Sequence, residues 1–180
     1  MLITAHQHVT NEPLSAGGLL FDGVTYDLGW DGTRTAGRED AQPLPTADFA
    51  LYLINTVKFH CCQLFHLFDE ESFMRHFRNF HDEYGGRESV PVLWYVHYLV
   101  LLAFGKSFVV RKCQGRRPAG ADYFVQAMKL LPDIIFLYTD PLHSIELLCS
   151  IALYLQCLDL RSAAYVRVSQ FWSIFAMRCH

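Results

Sequence analysis

The chain has 180 residues, of which 52% are hydrophobic, 18% charged and 14% aromatic, with a formal net charge of −3 at neutral pH. That length suits one domain with its own core, and so high an apolar share asks for helices buried on all sides or for apolar surface held by a partner. The weak negative balance gives no support for nucleic-acid binding, which usually needs a basic face, and six cysteines with no CxxC pair, most of them inside apolar stretches, argue for free thiols in a reducing compartment rather than a disulfide framework.

Residues 1–45 read as an irregular arm or linker. "SAGGLLFDGVTYDLGWDGTRTAGREDAQPLP" is punctuated by Gly, Asp, Thr and Pro and holds no sustained period. The start lacks a basic segment followed by an apolar run, so no secretory signal is expected. Helical periodicity takes over at Thr46. Ala50, Ile54, Val57, Cys61 and Leu64 share one face, and Asn55, Lys58, Cys62 and His66 lie on another. Asp69 is the expected N-cap of the next helix, with Glu70 and Glu71 at its positive end. Phe73, Phe77 and Phe80 form its apolar stripe, and Glu71 and Arg75 an i, i+4 pair. Gly85 and Gly86 end it, and Ser89 and Pro91 open a third helix over about Val90 to Lys106.

The third helix is apolar nearly all round. Its stretch "VPVLWYVHYLVLLAFGKSFVV" contains His97, is closed by Gly105 and Lys106, and falls short of the roughly 20 apolar residues of a membrane span. The centre of a bundle is expected, and no membrane. "RKCQGRRP" follows as a loop. Pro118 and Gly120 lead into a helix with a polar stripe of Asp122, Gln126, Lys129 and Asp133 and a core face of Phe124, Ala127, Met128 and Leu131. Asp140 and Pro141 then supply an N-cap and a first-turn proline for a largely buried helix marked by Ile145, Leu148, Ala152 and Leu155. A tight turn near Asp159 to Ser162 returns the chain antiparallel. The expected fold is all-α, an irregular bundle of roughly six helices over residues 46–180.

Chemistry-bearing clusters are sparse. "HCCQLFH" gathers His60, Cys61, Cys62 and His66, but on a helix only Cys62 and His66 share a face, and two ligands do not make a zinc site. There is no GxSxG elbow, no phosphate-cradling glycine loop and no GxGxxG. The basic run Arg111, Lys112, Arg116 and Arg117 reads as a solvated loop, with phosphate contact or nuclear import as the functional alternative. Phe73, Phe77, Trp94, Tyr95, Phe124 and Tyr154 read as core before they read as a ligand pocket. No catalytic, cofactor-binding or metal-ligating residue is assigned, and no enzyme is expected.

Several stretches together resemble a known family. "LYLINTVKFHCCQLFHLFDEESF" is similar to its opening helix and aromatic link, "YLVLLAFGKSF" to its apolar third helix, and "PAGADYFVQAMKLL" to a Gly-x-x-Tyr-Phe-x-x-Ala helix entry. "SIELLCSIALYLQCLDLRSAAYVRVSQ" is the most specific piece: a long apolar helix, a tight turn, then Ser-Ala and an aromatic. The family is the regulatory, or middle homology, region of fungal zinc-cluster transcription factors (the xylanolytic-activator-like regulatory domain), and the likeness runs from about Ala50 to Ser169.

The resemblance implies an all-helical, nuclear domain that regulates transcription by RNA polymerase II. Its partners would be the transcription machinery or the rest of a longer regulator, with a homodimer allowed. In the family, DNA and zinc are bound by a separate six-cysteine module. The first cysteine here is Cys61, so no zinc ligand and no DNA-contacting residue is carried over. After Ser162 to Tyr165 the family continues with small residues, whereas Phe171, Trp172, Ile174 and Phe175 are bulky. A truncation near Gln170, leaving the first part of a larger helical domain, is the expectation. The alternative is a stand-alone helical module for protein–protein interaction without DNA binding.

Overall fold

The computed structural model describes residues 43–82, 86–110 and 117–178. The expectations for the arm before Pro43 and for the basic run Arg111 to Arg116 lie outside the described residues. The described chain is all-α, as expected, with no strand among the described residues. Its helices are α1 (Ala47–Cys61), α2 (Glu70–His81), α3 (Val92–Val109), α4 (Ala121–Leu130), the single turn α5 (Ile134–Leu137), α6 (Pro141–Cys157) and α7 (Arg161–Arg178), with a 3-10 turn at Arg87–Ser89. Six of them have ten residues or more, the number the periodicity predicts.

Helix α1 buries Ala50, Leu53, Ile54 and Val57. It ends sooner than its apolar period suggests. The N–H groups of Leu64 and Phe65 both turn back to the Cys61 carbonyl, at 3.1 and 3.0 Å. Leu64, expected on the core face, is therefore 81% exposed, and Leu67 and Phe68 fill the core in its place.

Helix α2 follows the predicted pattern. The Asp69 carboxylate accepts the Ser72 N–H at 2.9 Å, Arg75 meets Glu71 at 3.4 Å, and Phe73, Phe77 and Phe80 are buried. The cap satisfies one of the four N–H groups that a helix start leaves without an internal partner. Asp69→Ala is expected to lower stability by about 1 kcal/mol, read from urea unfolding curves. A midpoint equal to that of the parent would contradict the capping role.

Helix α3 is the axis of the bundle. Trp94 to Gly105, twelve consecutive residues, are all buried. Against the expectation from its length, its 18 residues Val92–Val109 are long and apolar enough to cross a membrane, but the helix is packed against α1, α4 and α6. Its start differs from expectation. Pro91 occupies the N-cap position itself, and Ser89 ends the 3-10 turn, its Oγ 2.7 Å from Gly86 O and 3.2 Å from Asn79 O.

Two glycines set the helix crossings. A Cβ on Gly105 would lie 2.5 Å from Leu53 O, on the backbone of α1. A Cβ on Gly120 would lie 2.5 Å from Ala103 O, on the backbone of α3. At both joints backbone rests on backbone, which only a missing side chain permits.

The polar stripe predicted for α4 is corrected at two positions. Seven of its ten residues are buried, Gln126 among them, because α3 covers a wide arc of so short a helix. The helix also stops at Leu130, so Asp133 sits on the link after Pro132. Asp122 is tied to Arg117 at 2.5 Å. Helix α6 opens as predicted, with Pro141 first and the Asp140 carboxylate accepting the His143 N–H at 3.4 Å. The α6–α7 turn places Asp159 at φ 60°, a left-handed conformation that a short polar residue tolerates. The Leu160 N–H closes that turn on Leu155 O at 2.9 Å. Helix α7 runs through Gln170 as one helix, with Tyr165, Val166 and Val168 exposed.

Candidate functional site: a cleft at three helix starts

The first turns of α2, α3 and α6 border one cleft of about 810 Å³. That is within the range of small-molecule sites, roughly 300–1,000 Å³. Asp69, Ser72, Phe73 and His76 come from α2 and its cap, and Pro91, Val92 and Leu93 from the start of α3. Leu130, Pro132, Asp133 and Phe136 come from the end of α4 and the following turn. Thr139, Asp140, Leu142, His143 and Glu146 complete the wall from α6 and its approach. The Pro132 break and the α5 turn carry Phe136 to the rim, where it is 64% exposed.

The cleft is electrostatically one-sided. Four carboxylates line it and, among the described residues, no Lys or Arg does. Asp69 and Asp140 are helix caps, set against the positive ends of α2 and α6. Glu146 differs, because it is only 6% exposed and is the one carboxylate of α6. Burial raises its carboxyl above the ordinary range, opposed by His66, whose Nε2 lies 2.9 Å from Oε1. Burial lowers His143, against the pull of Asp140, whose Oδ2 lies 3.8 Å from Nδ1.

A polar core lies behind the inner wall. His97 is fully buried, with its ring centroid 5.7 Å from Phe73 and 5.4 Å from His143. Its Nε2 is 3.0 Å from Ser150 Oγ, and that hydroxyl donates to Glu146 O at 2.9 Å. The hydroxyl proton is thus used, so Nε2 carries the hydrogen and donates to Oγ. Nδ1 is left as an acceptor with no partner among the described residues. Burial, and then the neighbouring His143, push His97 well below the usual histidine range, and the ring is neutral. Ser150 and His97 form a nucleophile–base pair by residue type only. Ser150 is fully buried and its hydroxyl is held by a backbone carbonyl.

The sequence-predicted clusters fall elsewhere. Cys62 and His66 do not share a helix face, because α1 ends before them and His66 turns to Glu146. His60 stacks on Phe108, with centroids 4.7 Å apart. Burial, then Cys157 and Cys62, push the Cys61 thiol up to about 11. Among the described residues no three His, Cys, Asp or Glu side chains come together as a metal site. Of the aromatics weighed for a pocket, Phe73 alone lines the cleft. Trp94 stacks on Tyr98 at 5.2 Å and Phe124 packs on Tyr154 at 4.5 Å, both in the core.

Sequence reasoning did not single out Glu146 or His143. The available signal was the helix's one carboxylate, Glu146, one turn before Ser150 in a stretch where the residues between them are Leu147, Leu148 and Cys149. Compared with known proteins, the chain matches no family model, no curated protein and no solved structure.

Proposed function

We propose that the chain is a regulatory domain of the fungal zinc-cluster transcription-factor type. In this reading it is nuclear, acts without catalysis, and tunes transcription by RNA polymerase II through the transcription machinery or a longer regulator. DNA and zinc are left to a separate module. One observation carries the reading. The stretches that resemble the family supply the joints of the bundle, in the family's order. "YLVLLAFGKSF" supplies Gly105 at the α1 crossing, "PAGADYFVQAMKLL" supplies Gly120 at the α3 crossing, and the longest stretch forms the α6–α7 hairpin.

The test is a reporter assay in yeast. The full chain is fused to a heterologous DNA-binding domain, with the binding domain alone as reference. A severalfold change in reporter output, in either direction, is expected. Output equal to the reference, with the fusion present in the nucleus, overturns the reading. A helical protein–protein interaction module is the second reading, favoured by Phe49, Tyr52 and Phe59 exposed on α1. It predicts an unmoved reporter together with a binding activity that Phe59→Ala weakens.

A further inference from the structure

We propose that the cleft bordered by α2, α3 and α6 binds a small organic cation with an apolar body, its ammonium group set near Glu146 and its hydrocarbon part against Leu93, Leu130 and Phe136. Three observations lead to this class of ligand. The first is the cleft itself, whose volume of about 810 Å³ holds a molecule of that kind and whose walls are largely apolar.

The second is the sign of the charge. Helix N-termini ordinarily attract anions. Here Asp69 and Asp140 already occupy the positive ends of α2 and α6, and Asp133 and Glu146 add two more carboxyl groups with no lining Lys or Arg among the described residues to offset them. An anion entering this space meets four carboxylates and, among the described residues, no Lys or Arg. A metal ion fits poorly for a different reason. The acidic groups are spread over several elements, and among the described residues no three of them converge within reach of one ion. A bulky cation with a diffuse charge tolerates that spread.

The third is Glu146. Its carboxyl lies almost wholly out of water on the inner wall, and its imidazole neighbour, His66, 2.9 Å from Oε1, is itself 71% exposed and leaves the cleft side of the group open. A charge in so dry a place interacts strongly with a cation brought against it. Phe136 stands at the rim with its ring exposed, placed to meet the cation or the apolar body as it enters.

The experiment is a calorimetric titration of the full chain with three ligands of nearly one shape: 2-phenylethylammonium chloride, neutral 2-phenylethanol and sodium phenylacetate. The ammonium compound is expected to bind saturably and about tenfold tighter than either of the others. Glu146→Gln is expected to remove most of that preference, and Phe136→Ala to weaken binding while leaving the thermal melt close to that of the parent. Equal affinity for the ammonium and the alcohol, tighter binding of phenylacetate, or saturable binding of none of the three would overturn the proposal. Should Glu146→Gln fail to fold, the three-ligand comparison on the native chain decides by itself. The regulatory reading is not required: a chain that binds the cation and leaves the reporter unmoved refutes that reading alone.

Discussion

Gly120→Ala is expected to destabilise the fold by about 3 kcal/mol, more than alanine at either of the other two described glycines. Two penalties act together. Gly120 has φ +87°, a left-handed conformation that costs a residue with a Cβ about 1 kcal/mol. The added Cβ would also sit 2.5 Å from Ala103 O and 2.9 Å from its Cα. Both atoms belong to the backbone of α3, which is buried on all sides and has no room to retreat. Overpacking of that kind costs about 1–3 kcal/mol.

Gly105→Ala makes the companion case and separates the two penalties. Gly105 has ordinary helical geometry, so alanine gains about 1 kcal/mol of helix propensity there. The clash with Leu53 O at 2.5 Å opposes the gain and outweighs it, leaving a net loss of about 1–2 kcal/mol. Urea unfolding of both variants checks the pair. A Gly105→Ala protein more stable than the parent would mean that α1 and α3 slide apart without cost, and that the crossing is not tight.

The second large effect is acid sensitivity. His97 is neutral in the fold and held well below its usual range by burial. In the unfolded chain it titrates near 6.5. Below that pH the unfolded state takes up a proton that the folded state refuses, so stability falls as pH falls from about 6.5 toward the folded value. The slope reaches about 1.4 kcal/mol per pH unit for one such proton. His143 and His81, also lowered by burial, add the same sign from the same starting pH. Glu146 acts against them. Its raised carboxyl binds a proton more readily in the fold, which favours the folded state as pH drops toward 4.5. Three histidines outweigh one carboxylate between pH 6.5 and 5, so a net loss is expected there.

His97→Leu separates His97 from the rest. It removes the titrating ring and the acceptor Nδ1 that has no partner among the described residues, while Ser150 keeps its bond to Glu146 O. Unfolding free energy measured from pH 7.5 to 5 should show a flatter profile in the variant. A slope identical to that of the parent would place the acid sensitivity elsewhere.

The parts of the fold legible in the sequence are those set by short-range chemistry. Asp69 and Asp140 as caps, Pro141 in the first turn, the Phe73, Phe77 and Phe80 stripe and the all-apolar α3 each depend on neighbours within about one turn. The misreadings share a different cause. Leu64 keeps the apolar spacing of α1 but lies beyond the turn at Cys61, so its place on the period has no bearing on burial. Gln126 reads as polar surface, but the arc that α3 covers depends on where Gly120 lets α4 approach. The cleft was illegible for the same reason. Its walls come from Asp69 through Glu146, and only the docking of α2, α3 and α6 brings them together.

The α6–α7 hairpin and the cleft stand at opposite ends of a scale of sequence distance. The hairpin is closed by a left-handed Asp159 and the Leu160 to Leu155 bond, so its contacts form between neighbours and need little loop closure. The His66 to Glu146 contact at the cleft joins residues 80 positions apart. The hairpin can therefore assemble early, whereas the cleft exists only once the chain has closed its longest loops. A molecule seated there holds the whole bundle together rather than one local piece. Its effect on hydrogen exchange should reach the amides of Trp94 to Gly105, the buried run of α3, where exchange through global unfolding is expected.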